Sequence, residues 1–395
     1  MNILFYTITL MPYAGGIARV TDNIAQALSY RGHKCFGLYN ADMTDIPTQR
    51  KASYTATMTI SPQTSLRYTA YQVAKFIIDN QIDVIINQQG ALLYNLKLCQ
   101  RVKKITQIPI ITFYHTLPGH LSLELKGLPK IKDRLTWKDH LKALLRPLYH
   151  EYLKARAIYI CRKGYAISDQ YVLLSESYLQ LFKHENKITN GEKLTYINNS
   201  ITFNHILSEK ALPQKKNIVL IVSRLEEGQK RISKAIQIWE YIEKKGINDW
   251  ELLIVGDGPH ASYYKQLASQ KRLKHIHFKP ATINPEPLFH DAAIFMMTSA
   301  FEGWPLTLIE ASQMGCVPIV YDTFSAVHDI ITSGQNGIII PANNQTLYVE
   351  ALIKLMHDPT YRMALANGAI KNCQRFTIEK IADQWERTLS QLTKS

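Results

Sequence analysis

Two carboxylates stand eight residues apart in one segment, TSAFEGWPLTLIEASQMGCVPIV at 298–320. Glu302 lies in a predicted loop after a strand, where it could face a ligand. Glu310 lies in the second turn of the helix that follows, where a carboxylate can accept hydrogen bonds from two vicinal hydroxyls, such as those of a ribose. A helical glutamate is more often a solvated surface residue, but the apolar neighbours of Glu310 predict burial, which requires a polar partner.

The helix between these carboxylates should itself bind an anion. Pro305 at the first helical position and Gly315 near the end predict a helix from about 305 to 314. The backbone N–H groups of its first turn have no acceptor within the helix, and together they suit a phosphate. The candidate ligand-binding residues of this segment are Glu302, Gly303, Leu306, Thr307 and Glu310.

Two cations follow the predicted strand NIVLIVSRL at 217–225. Arg224 and Lys230 would lie at the carboxyl end of that strand, the usual ligand edge of an open α/β sheet. The planar guanidinium of Arg224 suits phosphate oxygens. An isolated arginine and lysine are more often surface charges. Here the order of the two cations and the two carboxylates along the chain favours a binding function.

The turn VGDGPH at 255–260 ends the next predicted strand, ELLIVGD. Gly256 and Gly258 could allow a nucleoside to approach the backbone closely. Residues 256–261 also fit a loose dinucleotide-binding pattern, but the following strand ends in Lys279 where that pattern needs an acid for the ribose. We therefore expect no dinucleotide cofactor.

The setting F-E-G-x-P-L-x-L-I-E-A around Glu302 and Glu310, preceded by Arg224 and Lys230, resembles family 4 of the glycosyltransferases with the GT-B fold. The resemblance implies two Rossmann-like α/β domains facing each other across a cleft, with Arg224 and Lys230 binding the pyrophosphate of a nucleotide diphosphate sugar, most often UDP-linked. It also implies retention of anomeric configuration and a glycan or lipid-linked acceptor in bacterial cell-surface polysaccharide synthesis. Because the chain lacks an Asp-x-Asp pair, we expect no metal and no other cofactor; cationic side chains would stabilise the leaving diphosphate.

Two features of the first half resemble the same family. Gly15 and Gly16 lie between the first predicted strand and helix in the form P-x-x-G-G-I-A-R, where backbone N–H groups could meet donor phosphate or the transferring sugar. His115 ends the predicted strand IPIITFYH, where the resemblance implies contact with the transferring sugar. The predicted catalytic residues are His115, Arg224, Lys230 and Glu302, and Glu302 would bind sugar hydroxyls rather than act as a covalent nucleophile.

Apolar runs alternate with helix-period segments along the whole chain, which is typical of parallel α/β domains. The predicted strands include NILFYTI, HKCFGLYN, DVIINQQ and IPIITFYH, and then NIVLIVSRL, ELLIVGD, HIHFK, AAIFMMT, CVPIVY and NGIIIP. At 395 residues, two domains are expected. We place them at 1–207 (acceptor-binding) and 208–376 (nucleotide-sugar-binding), with the polar stretch SEKALPQKKN as a linker. An amphipathic helix in 377–395 could cross back onto the first domain.

The formal net charge is +14, and residues 126–163 hold eleven lysines and arginines against three acids. Lys142, Arg146 and Lys154 fall on one face of a predicted helix, which could dock on an anionic membrane surface or on the acceptor. A merely solvated basic face is an equal alternative. A nucleic-acid-binding protein is the rival class, but the chain has no zinc pattern, RNP-like strand or helix-turn-helix signal, so we expect no nucleic-acid partner.

No segment approaches the roughly 20 apolar residues of a membrane span, and the apolar first ten residues lack the basic region of a signal peptide. We therefore expect a cytoplasmic enzyme, which could associate peripherally with the inner face of the cell membrane. The five scattered cysteines suggest neither a zinc site nor disulfides. A sugar-nucleotide epimerase of the same fold, or a phosphorylase-like enzyme using pyridoxal phosphate, stays open as an alternative.

Overall fold

The computed structural model describes residues 1–11, 15–40, 53–119 and 146–392, with side chains in the last range from residue 151 onward. Contacts divide the chain into two units. The first comprises Met1–Ser200 together with Ile378–Ser395, and the second comprises Ile201–Thr377. Each unit is an α/β layered structure with its own parallel sheet, as the alternation of apolar runs predicts.

The sheet of the first unit has seven parallel strands. In chain order they are β1 (Asn2–Tyr6), β2 (Lys34–Asn40), β3 (Ala56–Ile60), β4 (Val84–Asn87), β5 (Ile110–Tyr114), β6 (Gln170–Leu173) and β7 (Leu194–Tyr196). Their spatial order is β3-β2-β1-β4-β5-β6-β7, so the direction of winding reverses between β1 and β4. Ligands of such sheets bind at the carboxyl ends of the strands beside this reversal.

Helices cover the sheet of the first unit. They are α1 (Gly16–Tyr30), α2 (Leu66–Asp79), α3 (Leu93–Thr106), α4 (Arg146–Ile167) and α5 (Ser177–Asn186). Helices α2, α3 and α4 pack side by side. Their apolar faces close over the core cluster that includes Leu4, Val73, Leu96 and Ile110. The run GYAISD at 164–169 largely forms the end of α4, and the strand that follows it is β6.

The second unit has a six-stranded parallel sheet. Its strands are β8 (Lys216–Val222), β9 (Glu251–Val255), β10 (Ile276–Lys279), β11 (Ala292–Met297), β12 (Val317–Asp322) and β13 (Ile338–Pro341). The order β10-β9-β8-β11-β12-β13 places β8 and β11 side by side at the reversal of winding. The loops that leave these two strands are therefore neighbours in space.

The helices of the second unit are α6 (Glu227–Lys230), α7 (Ile232–Lys244), α8 (Ala261–Gln270), α9 (Glu286–Asp291), α10 (Leu306–Gln313), α11 (Val327–Ile330), α12 (Gln345–His357) and α13 (Pro359–Cys373). Helix α10 begins one residue later than predicted. The backbone of Pro305 is extended, with φ −72° and ψ 104°, so this proline precedes the helix as its N-cap. The predicted linker forms a 3-10 helix at Glu209–Gln214 that leads directly into β8.

The division between the units falls between Ser200 and Ile201, before the predicted boundary at 207. Hydrogen bonds explain the difference. Gln313 of α10 donates from Nε2 to the carbonyl of Phe203 at 2.7 Å, and the N–H of Leu207 donates to the carbonyl of Gln313 at 3.0 Å. The segment from 201 to 207 is thus fastened to α10 of the second unit.

Helix α14 (Ile378–Leu392) follows the second unit in sequence but belongs to the first. It packs against α1. Trp385 is 1% exposed and meets the ring of Phe113 on β5 edge-on, with centroids 5.6 Å apart. Arg31 at the end of α1 donates to Asp383 at 2.7 Å. The last helix of the chain is therefore part of the core of the first unit.

Replacing Trp385 by alanine should destabilise the first unit by about 3–5 kcal/mol, because a fully buried aromatic ring is lost and a cavity remains. The matched control is Arg387→Ala on the exposed side of α14, which should change the free energy of unfolding by less than about 0.5 kcal/mol. Urea unfolding followed by tryptophan fluorescence and circular dichroism measures both. Equal, small effects would show that α14 does not contribute to this core.

Candidate functional site

The predicted donor-binding residues of the second unit gather at the carboxyl ends of β8 and β11, which pair in parallel. Arg224 and Lys230 follow β8, and Glu302 follows β11. The turn at 256–258 follows β9, the other neighbour of β8. One edge of one sheet therefore carries residues that are far apart in sequence.

An ion pair joins the loop after β8 to the loop after β11. Lys230 Nζ donates to Glu302 Oε1 at 2.6 Å, and the side chains are 19% and 7% exposed. Ser299 Oγ donates to the same carboxylate oxygen at 2.6 Å. Because an ammonium group has three protons, Lys230 can hold Glu302 and still donate to a ligand oxygen. Glu302 faces Lys230 rather than standing free in its loop.

Further hydrogen bonds connect the two loops. Ala300 N–H donates to the carbonyl of Gln229 at 2.6 Å, and Gln229 Nε2 donates to Glu302 Oε2 at 3.3 Å. Thr298 Oγ1 donates to the carbonyl of Arg231 at 3.1 Å. Our sequence analysis missed Gln229, Thr298 and Ser299. The signal available for Thr298 and Ser299 was an adjacent pair of hydroxyl residues at a predicted strand end, three to four residues before Glu302.

Helix α10 begins beside this pair. A small recess lies at the strand ends, and its lining includes Lys230, Ser299 and Thr307. The N–H groups of Leu306 and Thr307 belong to the first turn of α10, where helical N–H groups lack an acceptor within the helix. Gly303 lies in the turn between Glu302 and Pro305. The predicted phosphate-binding helix end and the predicted cation therefore border one space.

The two glycines of the turn after β9 are required by the chain itself. A Cβ added to Gly256 would lie 1.9 Å from the carbonyl oxygen of Ser223, and one added to Gly258 would lie 2.4 Å from that of Leu225. Between them, Asp257 accepts a backbone hydrogen bond from Leu225 at 2.8 Å. The two glycines thus let the turn approach the loop after β8 closely, and their predicted contact with the donor stays a prediction. That contact holds the loop at the point where Arg224 extends, exposed, from the end of the strand.

Glu310 is 1% exposed on α10, as its apolar neighbours predict. Thr202 Oγ1 donates to Glu310 Oε1 at 2.6 Å, a partner more than 100 positions away in the sequence. Together with Gln313, Glu310 fastens the entry segment of the second unit to α10. Its predicted contact with a ribose stays a prediction.

His115 directly follows β5 in the first unit. Its Nε2 donates to Gln88 Oε1 at 2.6 Å, and its ring lies against Phe113 with centroids 4.0 Å apart. Burial lowers the pKa of His115 to about 3, so its imidazole is neutral at physiological pH. With Nε2 donating to Gln88, Nδ1 retains the lone pair and can accept a hydrogen bond.

Gly15 and Gly16 lie where the sequence predicts, at the start of α1 after β1. Among the described residues, no atom lies within 4 Å of a Cβ added to Gly15. Gly15 thus lies at the N-terminus of a helix, next to the strand where the winding of the first sheet reverses. Its predicted contact with the donor stays a prediction.

Of the three predicted docking residues, only Lys154 has a described side chain. Lys142 lies outside the described residues, as does the side chain of Arg146, whereas Lys154 is exposed on α4. Across the described parts of the chain, every helix is too short or too polar to cross a bilayer. Within the same parts, no three His, Cys, Asp or Glu side chains are grouped as metal ligands would be. The prediction that no metal takes part stays a prediction.

Two family models match this chain. The family model described as Glycosyltransferase Family 4 matches residues 14–204, and the model described as Glycosyl transferases group 1 matches residues 203–372. The two matches together span almost all of both units. The chain belongs to the family 4 glycosyltransferases of GT-B fold.

Individual relatives are distant. The poly(glycerol-phosphate) alpha-glucosyltransferase of Bacillus subtilis is 27% identical over 57% of this chain, and the match spans only 33% of that longer protein. The amylovoran biosynthesis glycosyltransferase AmsD of Erwinia amylovora is 25% identical over 79% of this chain and 86% of its own. The crystal structure of Anabaena HepE in complex with UDP superposes with a TM-score of 0.76 at 16% identity, covering 99% of this glycosyltransferase and 100% of HepE. That likeness shows the shared GT-B fold.

Gly256→Ala should destabilise this glycosyltransferase by at least about 2 kcal/mol, because its Cβ would overlap the Ser223 carbonyl in a backbone conformation that already favours glycine. Gly246→Ala is the matched control, since Gly246 also has positive φ but an added Cβ there would meet nothing within 4 Å. Urea unfolding compares them. Similar losses in both variants would mean that backbone strain alone, without the contact to Ser223, sets the cost.

His115 should make unfolding depend on pH in a defined direction. Its folded pKa of about 3 lies below the ordinary 6.5, so the unfolded chain binds the extra proton first. Its contribution to stability is present above pH 6.5 and is lost as pH falls towards 3, by about 1.4 kcal/mol per pH unit. The His115→Gln variant lacks this contribution, and its free energy of unfolding should fall less steeply between pH 7 and pH 4. Parallel curves for the two proteins would contradict the neutral, buried imidazole.

Proposed function

We propose that this glycosyltransferase moves a hexose or N-acetylhexosamine from a UDP-linked sugar to a glycan or lipid-linked acceptor in cell-surface polysaccharide synthesis. The transfer retains anomeric configuration, needs no metal and takes place in the cytoplasm. The observation that carries the donor site is the Lys230–Glu302 pair at the junction of β8 and β11, beside the N-terminus of α10.

The charges at this strand edge suit a diphosphate leaving group. Lys230 contributes an ammonium group with protons to spare, Arg224 extends a guanidinium from the end of β8, and α10 contributes the N–H groups of its first turn. Negative charge grows on the diphosphate as its bond to the sugar breaks. Donors already fixed around that charge stabilise the transition state, typically by about 3 kcal/mol each. The bonds between the loops supply this fixed geometry.

Glu302 fits a sugar-binding role better than a nucleophilic one. Its Oε1 atom accepts from both Lys230 and Ser299, which lowers the electron density available for attack on the anomeric carbon. Retention then follows from attack on the face that the diphosphate leaves. The bond from C1 to the phosphate oxygen breaks, the bond from C1 to the acceptor oxygen forms, and the acceptor proton passes to the departing phosphate. A neutral His115 can accept a hydrogen bond from a sugar hydroxyl through Nδ1.

The proposed donor and acceptor classes draw support from the relatives. HepE binds UDP in its crystal structure. The relative from Bacillus subtilis bears the name of a poly(glycerol-phosphate) alpha-glucosyltransferase, and the relative from Erwinia amylovora that of an amylovoran biosynthesis glycosyltransferase. We infer a polymeric or lipid-linked acceptor for the present enzyme from the names of these relatives.

Lys230→Ala should lower kcat/KM for the UDP-sugar about a hundredfold, because one fixed donor to the diphosphate is lost. Isothermal titration with UDP, UDP-glucose and UDP-N-acetylglucosamine in EDTA measures donor binding, and a coupled assay of UDP release measures turnover. Lys265→Ala, an exposed cation of the same unit on α8, is the control and should match the wild type.

The substitution also removes the ammonium partner of a buried carboxylate, so folding must be checked by circular dichroism and melting temperature. The double variant Lys230→Ala/Glu302→Gln removes that unpaired charge, and should recover stability without recovering turnover. Wild-type turnover in folded Lys230→Ala, or donor binding that disappears in EDTA, would overturn the proposal.

A further inference from the structure

Three helices form one layer on the first unit. Helix α3 lies between α2 and α4 and contacts both, so the outward sides of all three make a single surface. The helices come from residues 66–79, 93–106 and 146–167, and only the last belongs to the basic segment noted in the sequence. We call their joint outward side the basic face.

The basic face is rich in exposed cations. Lys97, Arg101 and Lys104 follow one another at helical spacing along the outer side of α3. Across the three helices, the exposed cations with described side chains are Arg67, Lys75, Lys97, Arg101, Lys104, Lys154, Arg156 and Arg162. The same helices contain just two acids, Asp79 and Glu151. The face therefore presents a strong positive charge to its surroundings.

Two neighbouring lysines, in contrast, have a structural role. Lys103 donates to Asp169 at 2.6 Å, and Lys163 donates to Gln100 at 2.7 Å. Both connect one element to another. The eight exposed cations form no ion pair with any residue that the structure describes. They are available to an external anion.

Large apolar and aromatic side chains are interleaved with these charges. Tyr71 is 65% exposed and Ile78 is 64% exposed on α2, while Ile105 is 51% exposed on α3 and Tyr159 is 53% exposed on α4. Transfer of an exposed isoleucine side chain from water into an apolar phase lowers the free energy. Tyrosine is favoured where an apolar phase meets water, because its ring is apolar and its hydroxyl is polar.

A groove runs between α3 and α4 within this face. It is shallow and open to solvent, and it is lined by residues that include Gln100, Ile158, Tyr159, Arg162 and Lys163. Its lining combines the Arg162 cation with apolar side chains, a combination that suits a lipid phosphate and the start of an acyl chain. The groove gives the basic face a recess on the scale of a lipid headgroup.

We propose that the basic face of α2, α3 and α4 docks this enzyme on an anionic phospholipid bilayer. Coulomb attraction draws the cations to the surface, and the exposed tyrosines and isoleucines enter the interfacial region. The isoleucines distinguish a bilayer from a nucleic acid, whose phosphate backbone gives an aliphatic side chain nothing to bury against. The docking proposal does not depend on the proposed function. Docking would nevertheless serve that function, because a lipid-linked acceptor lies at the membrane surface.

Sedimentation with vesicles tests the proposal on the full chain. We expect binding to vesicles of phosphatidylcholine mixed with phosphatidylglycerol, none to phosphatidylcholine alone, and weakening as salt rises. Each cation near such a surface contributes about a fivefold gain in binding, so Arg101→Glu/Lys104→Glu should weaken it at least about 25-fold. The control Lys245→Glu/Lys265→Glu makes the same change of net charge at exposed positions of the second unit, and should lose far less.

A second pair of variants separates the contribution of the apolar side chains. Tyr71→Ser/Ile78→Ser keeps every charge and should still weaken vesicle binding while leaving any binding to random DNA unchanged. Equal losses in the two charge-reversal variants, binding that ignores phosphatidylglycerol, or tighter binding to DNA than to vesicles would overturn the proposal. Titration of Arg101→Glu/Lys104→Glu with UDP-sugar tests the donor site separately from membrane docking. Intact donor binding in this variant would show that its loss of vesicle binding does not come from a damaged donor site.

Discussion

Burial of the Glu302 carboxylate is the constraint on which the strand ends of the second unit depend. An unpaired carboxylate in that position would cost several kcal/mol, so the fold must bring a cation to it. Lys230 provides the cation and Ser299 a further donor. Meeting that requirement fixes the loop after β8 against the loop after β11, at the point where the sheet reverses its winding. The same contacts place charged donors beside the start of α10, so the contacts that stabilise the fold also build the proposed diphosphate site.

In the first unit, the ionisable side chain at the strand end is neutral rather than charged and paired. There the ionisable group is His115, and burial keeps it neutral while Gln88 holds its Nε2 atom. A neutral ring with a free lone pair suits a sugar, which offers hydroxyl protons and no charge. The aromatic contact to Phe113 supports the ring from below, and Phe113 in turn rests on Trp385 of the last helix. The C-terminal helix thereby stabilises the strand that positions the histidine.

The excess of positive charge has more than one role. Some cations hold elements together, as Lys103 does with Asp169. Lys230 balances a buried acid. The exposed cations of α2, α3 and α4 do neither, and they share their surface with isoleucine and tyrosine. Net charge by itself could not separate these roles, because the distinction depends on which side of a helix each residue occupies and what lies across from it.

The sequence by itself determined the alternation of strands and helices, the parallel sheets and the family, because apolar periodicity and the spacing of Arg224, Lys230, Glu302 and Glu310 are local properties. It also indicated that Glu310 would be buried. Tertiary structure decided the partners: Lys230 for Glu302, Thr202 for Glu310, and Ser223 for Gly256. It also decided that residues 201–207 join the second unit and that α14 joins the first. These outcomes depend on which strands become neighbours in a sheet, and strand order is a long-range property that no local pattern of residues encodes.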